Sequence, residues 1–242
     1  MMLKKCAGVC AAALLAACGA PQTRLPHEGG AVAPIPTQPP AGVAVYRIDS
    51  AQSELRLLVY RAGPMARLGH NHVIVNRAVS GWVDTAGTAA AQSLSLQVPV
   101  ADFVVDDAQA RAEEGPDFSQ AVTDEARAGT RHNMLSAAVL DADRFPTITL
   151  SGMAVTAAAG IQEPGTQGPS TWVATLAVQV AGHTSKLTVP FTLETSAGRI
   201  SASGTAVLRQ SDLGLTPISV MLGALEVQDA LTVKFKLVAP KS

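Results

Sequence analysis

Through most of the chain, polar and apolar residues alternate with a period of two, the pattern of strands that bury one face and wet the other. From Glu54 to Arg61, Leu55, Leu57 and Val59 fall on one face and Glu54, Arg56, Leu58 and Tyr60 on the other, until Gly63-Pro64 ends the run. Segments at Val45–Asp49, Leu68–Val75 and Val79–Asp84 read as further strands, with turns at 50–52 and around Gly87. Gln92 to Val100 groups Leu94, Leu96, Val98 and Val100. The periodicity is clearest late in the chain. Trp172, Ala174, Leu176, Val178 and Val180 share one face, as do Leu187, Val189, Phe191 and Leu193. Between Ile200 and Leu208 the inward set is Ile200, Ala202, Gly204 and Ala206, whose small side chains leave room. The last strand buries Val227, Leu231, Val233, Phe235 and Leu237 and turns Thr232, Lys234 and Lys236 outward.

Two stretches break the alternation. Asp102 to Thr130 is charged and alanine-rich, which predicts one or two amphipathic helices interrupted at Gly115-Pro116 and lying across one end of a barrel. In Arg131–Met153, Met134, Leu135, Val139 and Leu140 can share a helical face, and Phe145-Pro146 then forces extended backbone into a strand at Thr147–Ser151. A glycine- and proline-bearing loop is expected over 157–170. The resulting eight or nine strands predict an all-β fold, an antiparallel barrel of about eight strands with a short helical insertion. That size can enclose one small ligand. A β-sandwich is the alternative.

The pattern Asn133-Met134-Leu135, Val139-Leu140-Asp141, Phe145-Pro146, Ile148, Leu150-Ser151 resembles the YceI-like family of periplasmic lipid-binding proteins. Leu208–Leu215 with Gln228–Val233 resembles the family's closing strands, and Ala177–Thr184 lies between the two blocks in the expected order. The resemblance covers about Tyr46 to Val238. It implies a lipocalin-like barrel holding an isoprenoid or another amphiphile, with no required cofactor.

The N-terminus changes where such a barrel is expected to work. Lys4 and Lys5 precede an apolar run from Cys6 to Ala17, the order of a secretory signal and too short for a permanent span. Leu15-Ala16-Ala17-Cys18-Gly19 resembles a bacterial lipobox, which implies removal of residues 1–17 and lipid attachment at Cys18. Gly19 in place of aspartate suggests the periplasmic face of the outer membrane. Residues 18–42, rich in Pro, Gly and Ala, read as a tether, and 43–242 as the binding domain. An ordinary secretory signal is the alternative. All three cysteines lie in the first eighteen residues, so no disulfide, cysteine metal site or cysteine nucleophile belongs to the domain. Net charge is -1 and charged residues are 15 % of the chain, which gives no basic excess for nucleic acid.

Candidate chemistry is sparse. No Gly-x-Ser-x-Gly elbow or glycine-rich phosphate loop occurs, so a non-enzymatic role is expected. His70 and His72 are two apart, and on a strand both imidazoles could reach one metal or one polar headgroup, with His132 and His183 as distant candidates. Arg209 could pair with Asp212 or hold a headgroup at the barrel mouth. The expected ligand-binding set is Leu94, Leu96, Leu176, Val178, Leu187, Val189, Phe191, Phe235 and Arg209, around an isoprenoid, quinone-like or fatty tail. Two other readings stand beside this one: a histidine-dependent metal-binding protein or envelope enzyme, and an interaction module with a solid core. Oligomeric state is not legible.

Overall fold

The computed structural model describes residues 38–39, 44–84, 93–157 and 170–242. The expected signal 1–17, Cys18 and nearly all of the tether lie outside the described residues, as do the turn around Gly87 and most of the loop expected over 157–170. The strands are β1 (Tyr46–Arg47), β2 (Glu54–Val59), β3 (Arg61–Ala62), β4 (His72–Asn76), β5 (Ser80–Asp84), β6 (Ser93–Pro99) and β7 (Val104–Val105). Helices α1 (Ala108–Glu113) and α2 (Asp124–Leu135) follow. The second half contains β8 (Thr147–Ala157), β9 (Ser170–Val180), β10 (His183–Ser196), β11 (Arg199–Arg209), β12 (Ser219–Val220), β13 (Leu225–Val227) and β14 (Ala230–Pro240).

Three of the wall strands are bent, each interrupted by a few residues: β1 with β2, β4 with β5, and β6 with β7. Asp49 holds the first bend by accepting a hydrogen bond from the Ala51 N–H at 3.1 Å. Asn76, fully buried, holds the second, donating to the Pro99 carbonyl at 2.8 Å and accepting from the Ala78 N–H at 2.9 Å. Gly81 permits the chain to continue there: its φ is +138°, and a Cβ would fall 2.1 Å from the Ser95 carbonyl oxygen.

Counted this way, eight strands pair antiparallel around a ring. The bent pair β1–β2 lies beside β4–β5, which lies beside β6–β7. The ladder then runs through β8, β9, β10, β11 and β14. It returns to its start because β14 pairs with β2, Phe235 opposite Leu55. The end of β14 also meets the first segment, with the Asp49 N–H donating to the Val238 carbonyl at 2.8 Å. Closure leaves the long strands without an open edge. The barrel is lipocalin-like. Val227, expected in the last strand, belongs instead to the separate short strand β13, which pairs with β12 and β3 to form a flap over one end.

The helical insertion divides its work. α1 lies outside the barrel, where the outward positions Leu58, Val73 and Val75 are apolar and pack with Ala110 and Phe118. Arg56 fastens this helix through Glu113 and Glu114, at 2.8 and 2.7 Å, and Lys234 reaches Glu114 at 2.5 Å. Only α2 reaches the barrel end. It stops at Leu135, because Ser136 turns extended, so Val139 and Leu140 are not helical. Met134 and Leu140 nevertheless remain in one buried cluster with Ile74, Val98, Phe103 and Val180.

Candidate functional site

An eight-stranded barrel is just wide enough for side chains to fill or for one ligand to replace some of them, so the size of the inward residues decides the outcome. Here the interior is not filled. A cavity of about 500 Å³ occupies one end, and a lobe of about 140 Å³ the other. Leu96, Leu176, Val189, Phe235 and Leu237 line both, so they form a neck between the lobes. Phe235 lies over Gly204, its partner across the ladder. A Cβ on Gly204 would stand 2.8 Å from the ring and 2.7 Å from the Pro190 carbonyl oxygen.

The structure brings together the eight apolar residues singled out from the sequence. Val178 and Leu187 line the larger lobe, Leu94 and Phe191 the smaller, and Leu96, Leu176, Val189 and Phe235 the neck. Arg209 is elsewhere. Alternation along β11 turns Leu208 inward and Arg209 outward, where its side chain is 64 % exposed and pairs with Asp229 at 3.0 Å rather than with Asp212. Asp229 also accepts from the Ser211 N–H and hydroxyl, so this group fixes the turn after β11.

The polar lining is gathered at the flap end of the larger lobe, where Tyr60, Arg61, His70, His72, Thr130, Asn133 and Glu226 contribute. His70 and His72 have ring centroids 6.1 Å apart. Burial, followed by the neighbouring His72 and Arg111, lowers the His70 pKa and favours its neutral form. Both nitrogens of His72 are occupied: Nδ1 is 2.7 Å from Asp106 Oδ2, and Nε2 is 3.3 Å from the Thr130 hydroxyl. Among the described residues no three His, Cys, Asp or Glu side chains converge as metal ligands, and His132 and His183 are exposed at other places.

Asp106 is the polar residue the sequence reading missed. Its carboxylate is buried and accepts from the Val73 N–H at 3.0 Å and from Arg111 at 2.5 Å, as well as facing His72. Burial alone would push its pKa up, but the hydrogen bonds from His72, Val73 and Arg111 outweigh it and hold the carboxyl below its ordinary value. Arg111 in turn donates to the carbonyls of Asn71, Phe118 and Gln120. The only local signal was Asp107, which caps α1 by accepting from the Ala110 N–H at 2.9 Å. Nothing in spacing connected Asp106 to His72, thirty-four residues away.

The arrangement can take an elongated apolar molecule with one polar end. Among solved structures, Burkholderia cenocepacia BcnA matches at 18 % identity and a TM-score of 0.52, over 79 % of this chain and 99 % of that one. A polyisoprenoid-binding domain from Saccharophagus degradans, implicated in plant cell wall breakdown, matches at 12 % identity and a TM-score of 0.52, over 81 % of this chain and 98 % of that one. At these identities both show a shared fold. No curated protein matches the chain. The family model described as the YceI-like domain matches residues 46–239, nearly the whole barrel, and the chain therefore belongs to the YceI-like family.

Proposed function

We propose that the protein binds and carries, or sequesters, a polyisoprenoid, quinone-like or fatty amphiphile in the bacterial cell envelope without chemically changing it. The observation that carries this reading is the apolar cavity of about 500 Å³, of the size that small-molecule sites have, with a second apolar lobe beyond the five residues that line both. An extended tail can thread both lobes. Each square ångström of apolar surface withdrawn from water contributes about 25 cal/mol, so a long branched tail gains from filling both. The polar end would rest among His70, Thr130 and Asn133, beside His72, where the neutral His70 imidazole exchanges a hydrogen bond with a carbonyl or hydroxyl. The polyisoprenoid-binding domain of the same fold supports this choice of ligand.

The lipobox-like segment supports attachment of the mature chain at Cys18 to the periplasmic face of the outer membrane, with residues 18–42 as tether. No partner other than the lipid and the membrane is required by this reading.

Ala206 offers the sharpest test, because it lines the larger lobe with a small side chain. Ala206→Phe fills the space a tail would use. Lipid recovered by solvent extraction should fall several-fold, while stability is unchanged or rises by about 1 kcal/mol, as cavity filling does elsewhere. Unchanged lipid content in a folded Ala206→Phe protein would refute binding in this lobe.

A further inference from the structure

The flap at the polar end of the cavity has an unusual tip. Strands β12 and β13 are joined by Met221-Leu222-Gly223-Ala224, closed by a hydrogen bond from the Ala224 N–H to the Met221 carbonyl at 3.2 Å. Leu222 and Gly223, the two central residues, have φ of +56° and +87°, and Met221 has +54°. Mirror-image turns of this kind favour Asn or Asp followed by Gly, because a short polar side chain tolerates the left-handed conformation. Methionine and leucine have no such compensation. Both side chains are also thrown into solvent, Met221 at 62 % and Leu222 at 107 % exposure.

These residues do not stand alone. Of the six large apolar residues that are exposed among those described, Leu68, Val220, Met221 and Leu222 belong to this flap and the short turn beside it. The turn and the tip are joined by a hydrogen bond from the Met65 N–H to the Ala224 carbonyl at 2.7 Å. Leu68 and Val220 also line the cavity, so one apolar surface runs from the exposed tip into the interior. Arg67, exposed and in no ion pair among the described residues, stands next to Leu68. On the hairpin itself, Glu226 is held by the Ser219 hydroxyl at 3.1 Å.

We propose that the Val220–Gly223 tip, with Leu68, inserts into the surface of a lipid bilayer and seats the cavity mouth on it. The proposal rests on the carrier reading, since continuity between the tip and the cavity is what selects a bilayer over a protein partner. A cargo tail leaving the membrane would then pass along Leu68 and Val220 without crossing water. Arg67 lies where it can meet anionic headgroups. Among the described residues no helix is long and apolar enough to cross a membrane.

The tether permits this orientation. The described chain enters the barrel at Val45, which accepts from the Ser242 N–H at the end opposite the flap. Residues 18–42 reach at most about 90 Å when extended. A wall strand of eleven residues spans about 36 Å, so an anchored barrel can turn its mouth to the membrane.

The test compares Leu222→Trp with Val207→Trp in the full chain, using vesicles of phosphatidylethanolamine with a minor fraction of phosphatidylglycerol and brominated acyl chains. Val207 is 67 % exposed on the outer wall and is not part of the tip, so it serves as the comparison site. The tryptophan at 222 should shift to the blue and be quenched several-fold more than that at 207, even where the N-terminus already holds the protein on the vesicle. Equal quenching at both sites, or none at 222, overturns the proposal. A blue shift at 222 caused by envelope proteins but not by vesicles also overturns it, in favour of a protein partner. Lipid extracted from the same samples separates this result from the carrier reading: cargo without quenching defeats the docking alone, and quenching without cargo defeats the carriage alone.

Discussion

Asp106 sits where three pieces of chain meet: the start of β4, the N-terminal side of α1 and the cavity end that carries His72. Its φ of +56° is one that Asn shares readily, so Asp106→Asn keeps the backbone and removes only the charge. Arg111, with a side chain only 10 % exposed, would then be buried without its carboxylate. The expected cost is about 3 kcal/mol in urea unfolding. The pH dependence follows from the same group. Because the folded carboxyl has the lower pKa, the unfolded chain binds more protons in the acid range. The contribution is therefore complete above the ordinary value of 3.8 and is lost as pH falls through the depressed one. His70 acts in the same direction nearer neutrality. Its folded pKa lies below 6.5, so its contribution is present above that value and declines as pH falls toward the lowered one. Acid titration of Asp106→Asn should show a shallower loss below pH 3.8 than the parent protein; an identical curve would remove Asp106 from the account. None of this was legible from sequence, since a pair thirty-four residues apart has no period and only folding brings it together.

At the scale of elements, alternation identified the cavity wall well because each strand has one wet and one dry face. Leu176 and Val178 on β9, and Leu187, Val189 and Phe191 on β10, could be placed together before their partners were known. The same rule turns Arg209 outward beside the inward Leu208, away from the mouth to which its polar end was assigned. The insertion was harder. Apolar Leu58, Val73 and Val75 on outward positions required a cover, and that requirement drew α1 to the outside while α2 alone reached the end. The neck is a property of paired elements, with Gly204 of β11 making space for Phe235 of β14. Phe235→Ala should widen the neck at a cost of about 3 kcal/mol. Among a series of fatty acids, the longest chain retained should lengthen; an unchanged length preference would show that the ring does not limit the tail.

For the whole molecule, barrel closure and an unfilled interior have different causes. Closure comes from backbone pairing, with β14 holding β11 on one side and the β1–β2 segment on the other. The space inside depends on Ala202 and Ala206 occurring where larger residues would have packed it. Sequence showed those small residues, but a packed core and a carrier draw on the same residue types, so the volume had to come from the assembled barrel. The most direct measurement is the native mass of the protein purified from bacterial envelopes under mild conditions. The account predicts one stoichiometric lipid-sized adduct, lost after organic extraction and identified in the extract as an isoprenoid, quinone or fatty species. A bare mass from a folded protein, with no lipid in the extract, would contradict it.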